Sequence, residues 1–367
     1  MRYYIIAGEA SGDLHGANLI KAIKQLDKEA EFRIWGGDLM EKEGAFNVNH
    51  IKERAFMGFA EVIKNLFKIK AFLKIAKDDI LAYKPDRLLF IDYPGFNLRI
   101  AEWAHLQGFK THYYISPKVW AWNTKRALKI KRIIDYLYVI FPFEVDFYKT
   151  YHYKVYYVGN PLVDAIVQFK PLENFKTGVL KADKPIIALL PGSRRQEIDD
   201  ILPVMLESVQ KYAKDYTPVL AVAPNFDNTY FDKFENIGLV QLLRENTYNL
   251  LKVSEVAIVT SGTATLETAL FKVPQVVCYK TGRFNFAIAK LLIKVKFISL
   301  VNLVAGKEIV KELIQKDLNV IQLQQELDKV MLGKGRDEQL KNYSELIQLV
   351  GGAGASERVA KLVFEQA

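Results

Sequence analysis

Apolar residues occur in short unbroken runs along the first half of the chain, and helically spaced stretches follow several of them. The run at 3–8 precedes a helical pattern over 14–26, and 31–37 gives a second run. Another at 86–92 leads into a helical pattern over 98–108, then come runs at 110–116, 136–142 and 154–160. Near-continuous apolar strands alternating with amphipathic helices predict a buried parallel sheet covered on both faces. The pattern restarts with strands at 185–193, 218–224, 256–262 and 274–280. The expected fold is therefore α/β, with two doubly wound Rossmann-like domains facing a central cleft. The expected boundaries are 1–165 and 166–345, joined within 159–175, with 346–367 as a C-terminal helix returning to the first domain. Open α/β sheets bind ligands at the carboxyl ends of their strands, so that is where chemistry is expected.

Composition supports two cores rather than one. The chain has 367 residues, half of them hydrophobic and 25% charged. Met1-Arg2 leads straight into the first strand, so no leader is expected, and no apolar run approaches the roughly 18 residues needed to cross a bilayer. The single cysteine, Cys278, allows no internal disulfide, and five scattered histidines predict no zinc site. The net charge of +9 suggests a polyanionic partner. It is unevenly placed: 116–134 holds six Lys/Arg and 268–307 holds seven, neither with any acid.

Four turns carry candidate chemistry. The first strand ends in Gly-Glu-Ala-Ser-Gly-Asp, where Gly8, Gly12 and Gly16 keep the backbone open and Asp13 is placed to cap the following helix. Capping gives Glu9 no comparable role. The strand at 88–92 likewise ends in Asp92, followed by a Pro-Gly turn, as a general base requires. In the second half, Pro-Gly-Ser-Arg (191–194) and Ser-Gly-Thr (261–263) each join a strand to a helix, where backbone N–H groups bind anions. Arg194 adds a fork of donors suited to phosphate, and Glu267 is placed to accept from ribose hydroxyls. Trp120 and Trp122 lie in a basic setting and are candidates to stack on a sugar or base or to sit at a membrane interface, with core packing an equal alternative for one of them. The stretch 57–80 reads as basic amphipathic helix, with Phe59, Leu66, Phe67 and Leu73 among Lys64, Lys68, Lys70 and Lys74; 283–304 has the same character.

These motifs, from Gly-Glu-Ala-Ser-Gly-Asp-Leu-His-Gly at 8–16 to Asn-Leu-Val-Ala-Gly-Lys-Glu at 302–308, resemble those of the lipid-A-disaccharide synthases, in the family's order. The resemblance implies the GT-B glycosyltransferase fold and a metal-independent inverting transfer. The donor would be UDP-2,3-diacylglucosamine and the acceptor 2,3-diacylglucosamine 1-phosphate. The products would be the β-1,6-linked lipid A disaccharide 1-phosphate and UDP. It implies no cofactor, peripheral attachment to an anionic inner-membrane surface from the cytoplasmic side, and a homodimer as a candidate assembly. Carried over residue by residue, it places the essential acid on Asp92, the Pro-Gly-Ser-Arg arginine on Arg194, the glutamate on Glu267 and the asparagine on Asn302. Ser11, Asp13, Asn97, Trp120, Trp122, Ser193, Ser261, Gly262 and Thr263 complete the expected substrate contacts. Glu9, Asp92 and Arg194 are the catalytic candidates. Gly95 stands where many members carry a second aspartate, and Val301 where proline is usual.

Two rival readings weigh less. Another UDP-sugar enzyme of this fold, such as an epimerase, leaves the lysine-studded apolar stretch at 57–80 without a use. A nucleic-acid-binding protein leaves Glu9 and Asp92 unexplained, because carboxylates repel phosphates.

Overall fold

The computed structural model describes residues 1–54, 66–223, 226–282, 286 and 295–366. The chain forms two compact units, Met1–Asp164 with Ala353–Ala367, and Ala165–Gly352.

The first unit contains β1 (Arg2–Ala7), β2 (Glu31–Trp35), β3 (Phe46–Asn47), β4 (Arg87–Ile91), β5 (Thr111–Tyr114), β6 (Tyr136–Val139) and β7 (Tyr156–Tyr157). They form one sheet in the order β3-β2-β1-β4-β5-β6-β7, parallel at every pairing. Side chains alternate across this sheet. Tyr4, Ile6, Leu88 and Phe90 enter one core, while Tyr3, Ile5, Leu89 and Ile91 enter the core on the other face. Both faces are covered, which is why the strands read as continuous apolar runs.

The second unit contains β8 (Ile186–Leu190), β9 (Thr217–Val222), β10 (Gln241–Arg244), β11 (Ser254–Thr260), β12 (Gln275–Tyr279) and β13 (Lys311–Ile314). Their order is β10-β9-β8-β11-β12-β13, again all parallel. Cys278 is buried in β12.

The chain's end returns to the first unit. Helix Ala355–Glu365 buries Val359, Ala360 and Val363 in the core beside helix Ala10–Leu26. Its N-terminus is capped by Asp164, whose carboxylate accepts from the backbone N–H of Gly354 at 2.6 Å and of Ala355 at 3.0 Å. The return begins later than the expected 346. Helix Lys334–Val350 belongs to the second unit, where Gln339 and Tyr343 engage Gln275. Gly351, at φ 79°, ends that helix.

Of the basic amphipathic stretch, 57–65 lies outside the described residues, and so does 283–294 apart from Phe286. The described part forms helix Leu66–Tyr83. Ile69, Ala76 and Ile80 are buried, Leu73 packs half-buried against the core, and Phe67 is 87% exposed. No described helix is long and apolar enough to cross a membrane.

Candidate active site

In the first sheet the strand order reverses between β1 and β4, the point where such sheets open a ligand crevice. The two strands end level, Ala7 opposite Ile91. Gly8 and Glu9 therefore emerge beside Asp92. Asp92 and Tyr93 both have left-handed backbone, at φ 44° and 50°. Two such non-glycine residues in succession are strained and need support. The Asp92 N–H donates to the carbonyl of Tyr114 at 3.0 Å. The Asp92 carbonyl accepts from Asn97 Nδ2 at 2.8 Å and from the Tyr113 hydroxyl at 2.5 Å. Pro94 then starts helix Pro94–Leu106. Gly8 has a specific reason to be glycine, since a Cβ there would lie 2.0 Å from the Tyr93 ring.

Burial raises the Asp92 carboxyl to about 6, and the charge of Glu9 pushes the same way. Lys118 and the Tyr93 backbone N–H oppose that rise. A carboxylate ionised near neutrality yet more basic than usual is suited to accept a proton. In the sequence Lys118 is only one member of a basic run. It sits in the loop after β5, where Ile115 takes φ 67°, an outlier for a β-branched residue.

Other candidates in this unit divide clearly. Ser11 is exposed in the first turn of helix Ala10–Leu26. Asp13 is buried and caps the next helix, not its own. Its carboxylate accepts from the N–H of Gly37 at 2.7 Å, Leu39 at 3.0 Å and Met40 at 3.2 Å, so it is a scaffold group rather than a substrate contact. Asn97 is also buried, and its amide N–H groups tie together the carbonyls of Ile6, Ile91 and Asp92. It positions the Asp92 turn from beneath. Trp120 is 6% exposed, donates from Nε1 to Glu144 at 3.2 Å and packs edge-on to Phe143. It is a core residue, not a platform for stacking. The side chain of Trp122 lies outside the described residues.

The second sheet reverses its order between β8 and β11, where Leu190 pairs with Val259. Both candidate anion turns follow directly, 191–194 after β8 and 261–263 after β11. Gly192, at φ 97°, starts the first turn, and the side chain of Glu197 folds over it. Ser193 is exposed, and Arg194, 81% exposed, pairs with Glu197 at 2.9 Å just before helix Arg195–Val209. The Ser261 hydroxyl donates to the carbonyl of Ile298 at 2.9 Å, so this turn offers mainly backbone N–H groups and exposed Thr263. Gly262 caps helix Thr263–Leu270. Glu267, half-buried, accepts from the Tyr248 hydroxyl at 2.9 Å, and burial raises its carboxyl.

Asn302, expected at the substrate, is fully occupied within the protein. Its Nδ2 donates to the Val310 carbonyl and Glu312, each at 2.9 Å, and its Oδ1 accepts from the N–H of Ile309 and Val310. Glu312 also accepts from Ser299 Oγ at 2.7 Å and from the Ile298 and Ser299 N–H groups. This buried knot fixes the loop before β13. Val301 is buried, as an apolar residue at this position can be without proline.

Among the described residues, the group with metal-ligand geometry is Asp38, Glu41 and His50. Asp38 there already pairs with Lys52 at 2.9 Å and His50 at 3.3 Å.

Two all-parallel α/β units, each with its candidate groups where strand order reverses, define the GT-B class shared by glycosyltransferases and sugar-nucleotide epimerases. Solved structures agree. A Staphylococcus aureus protein, MnaA, solved with UDP superposes with TM-score 0.72 at 14% identity, over 100% of this chain and 96% of that one. The calicheamicin glycosyltransferase CalG4 gives 0.60 at 13%, over 100% and 99%. Sequence goes further than fold. The chain belongs to the lipid-A-disaccharide synthase family, since the model for lipid-A-disaccharide synthetase matches residues 3–364. The synthase of Geobacter sulfurreducens is 36% identical over 99% of this chain and 97% of its own length. That of Myxococcus xanthus is 34% identical over 99% and 97%. The chain is thus a glycosyltransferase of lipid A biosynthesis.

Proposed function

We propose that the chain joins UDP-2,3-diacylglucosamine to 2,3-diacylglucosamine 1-phosphate, working from the cytoplasmic side at an anionic inner-membrane surface. The observation that carries the site assignment is Asp92, held on strained backbone at the strand-order reversal and raised to about 6 beside Glu9. Asp92 takes the proton from the acceptor 6-hydroxyl as that oxygen attacks C1 of the donor sugar. The bond from C1 to the UDP oxygen breaks, UDP leaves with the electron pair, and the configuration at C1 inverts. Arg194 and the N–H groups of the two turns in the second unit stabilise the charge growing on UDP. Glu267 accepts from the ribose hydroxyls. These donors supply the electrophilic help, so no metal is required and EDTA leaves the rate unchanged. Exposed Phe67 and its lysine neighbours on helix Leu66–Tyr83 form the surface that meets the membrane.

Mass spectrometry of the product from purified enzyme with the two substrates tests the reaction. Asp92→Asn should lower turnover by on the order of a hundredfold or more with UDP affinity unchanged. Near-wild-type turnover in that variant removes the base assignment.

A further inference from the structure

Helix Pro142–Lys149 carries two groups, one helical turn apart, that grip the loop following β5. Glu144 accepts from Trp120 Nε1 at 3.2 Å. Tyr148 and Ser116 share a hydroxyl hydrogen bond of 2.7 Å. All four residues are buried, at 1% exposure for Glu144, 0% for Tyr148, 6% for Trp120 and 4% for Ser116. Lys118 lies midway between the two gripped positions and is exposed. Its ammonium has no ion-pair partner among the described residues, while its charge acts on both Asp92 and Glu144.

We propose that Glu144 is a positioning residue for the transfer reaction, which through Trp120 fixes segment 116–122, a loop running into the short helix Val119–Trp122, and so sets Lys118 against Asp92. The inference rests on the reading of Asp92 as the base.

Three features argue for a role beyond packing. The Glu144 carboxylate needs the Ile140 and Phe141 N–H groups, at 3.1 and 3.0 Å, as well as Trp120 to tolerate its site. A neutral side chain would fill the same space without the penalty of burying a charge. The loop also begins at Ile115, whose left-handed backbone must be held from outside. Finally, the grip falls on positions 116 and 120 and leaves the cation between them free to act. Burial holds Glu144 near 7, against the pull of its three donors and of Lys118.

Three titratable groups act on Asp92 from the elements around it: Glu9 after β1, the Tyr113 hydroxyl on β5, which donates to its carbonyl, and Lys118 after β5; the Tyr93 N–H and the Asn97 amide add uncharged donors. Glu9 raises its carboxyl and Lys118 lowers it. Displacing Lys118 must therefore move the acid limb of the pH–rate profile upward.

The test is the pH dependence of kcat/KM for the full-length enzyme and four variants, with thermal unfolding measured alongside. Lys118→Met should raise the acid limb by roughly half a unit. Trp120→Phe, which loses the donor without changing charge, should raise it in the same direction and lower kcat, leaving KM for the UDP-sugar unchanged. Glu144→Gln should do likewise. Ser116→Ala, which frees the other end of the loop, supplies the measurement if either of those fails to fold. Variants that lose stability while the acid limb stays at the wild-type position overturn the proposal. So does a downward shift in Glu144→Gln, which would mean its charge acts directly rather than through the loop. Full turnover in Asp92→Asn would instead remove the base reading itself, and the two failures are distinct.

Discussion

Asp92 is held in a state in which its charged form costs stability. Its carboxyl rises from 3.8 to about 6 through burial and Glu9. For a carboxyl raised in the folded state, the charged form is the destabilised one. The penalty is absent below pH 3.8, grows as pH rises through 6, and is complete above it. Asp92→Asn should therefore stabilise the protein at pH 8, by about 1–2 kcal/mol after allowance for partial exposure, and have no such effect near pH 4. Asparagine tolerates the left-handed backbone at this position, so strain should not mask the gain. Denaturant titration at the two pH values measures it, and a destabilised Asn variant at pH 8 would contradict the electrostatic account. In the wild type the acid limb of the rate should fall near pH 6, and Glu9→Gln should lower it, because one source of the rise is removed.

Turns at the strand ends show how local packing sets which residues are replaceable. Gly8 and Gly95 look alike in sequence, each a glycine beside a candidate acid, but only Gly8 is obligatory. A Cβ at Gly8 strikes the Tyr93 ring at 2.0 Å, whereas one at Gly95 meets nothing within 4 Å. Gly8→Ala should displace Tyr93 and lower turnover at least tenfold, while Gly95→Ala should leave both activity and unfolding within error of wild type. The Asn302 knot is the corresponding element in the second unit. Asn302→Ala removes four hydrogen bonds and leaves Glu312 short of a partner, so the second unit should lose about 2–4 kcal/mol. Stepwise denaturant unfolding, which can separate the two units, is the suitable measurement. Unchanged stability with weakened UDP binding would restore Asn302 to the substrate.

At the scale of the molecule, charge and exposed apolar surface act together. The chain carries +9, and Phe67 stands exposed among Lys68, Lys70 and Lys74 on one helix. The acylated substrates proposed above would stay in a bilayer, and on that proposal the enzyme reaches them there. Each lysine near an anionic surface contributes about 1 kcal/mol, screened by salt, while an inserted ring contributes a part that salt does not screen. Binding to vesicles containing anionic lipid should weaken with rising salt without vanishing. Phe67→Ser should reduce it with no change in unfolding. Leu73 is unsuited to that test, since it packs against the core and its replacement would loosen the fold. Wild-type protein that ignores anionic vesicles would remove helix Leu66–Tyr83 as the contact.

The sequence by itself determined the two parallel sheets, because a strand buried on both faces must be apolar throughout, and that pattern is local. It also determined which turns are candidates for chemistry, since glycines and polar groups at strand ends are local features too. Short edge strands such as Phe46–Asn47 and Lys311–Ile314 escaped it, having too few residues to show a period. What each polar side chain does was decided only by tertiary structure. Asp13, Asn97 and Asn302 stand in the same kinds of motif as Asp92, yet the fold hands their side chains mainly to backbone groups, the Asp13 carboxylate to the 37–40 turn, the Asn97 amide nitrogen to three carbonyls and Asn302 to the loop before β13. Lys118 and Glu144 gain their significance the same way. A charge acquires its role from the groups around it and from its burial, and long-range packing sets both.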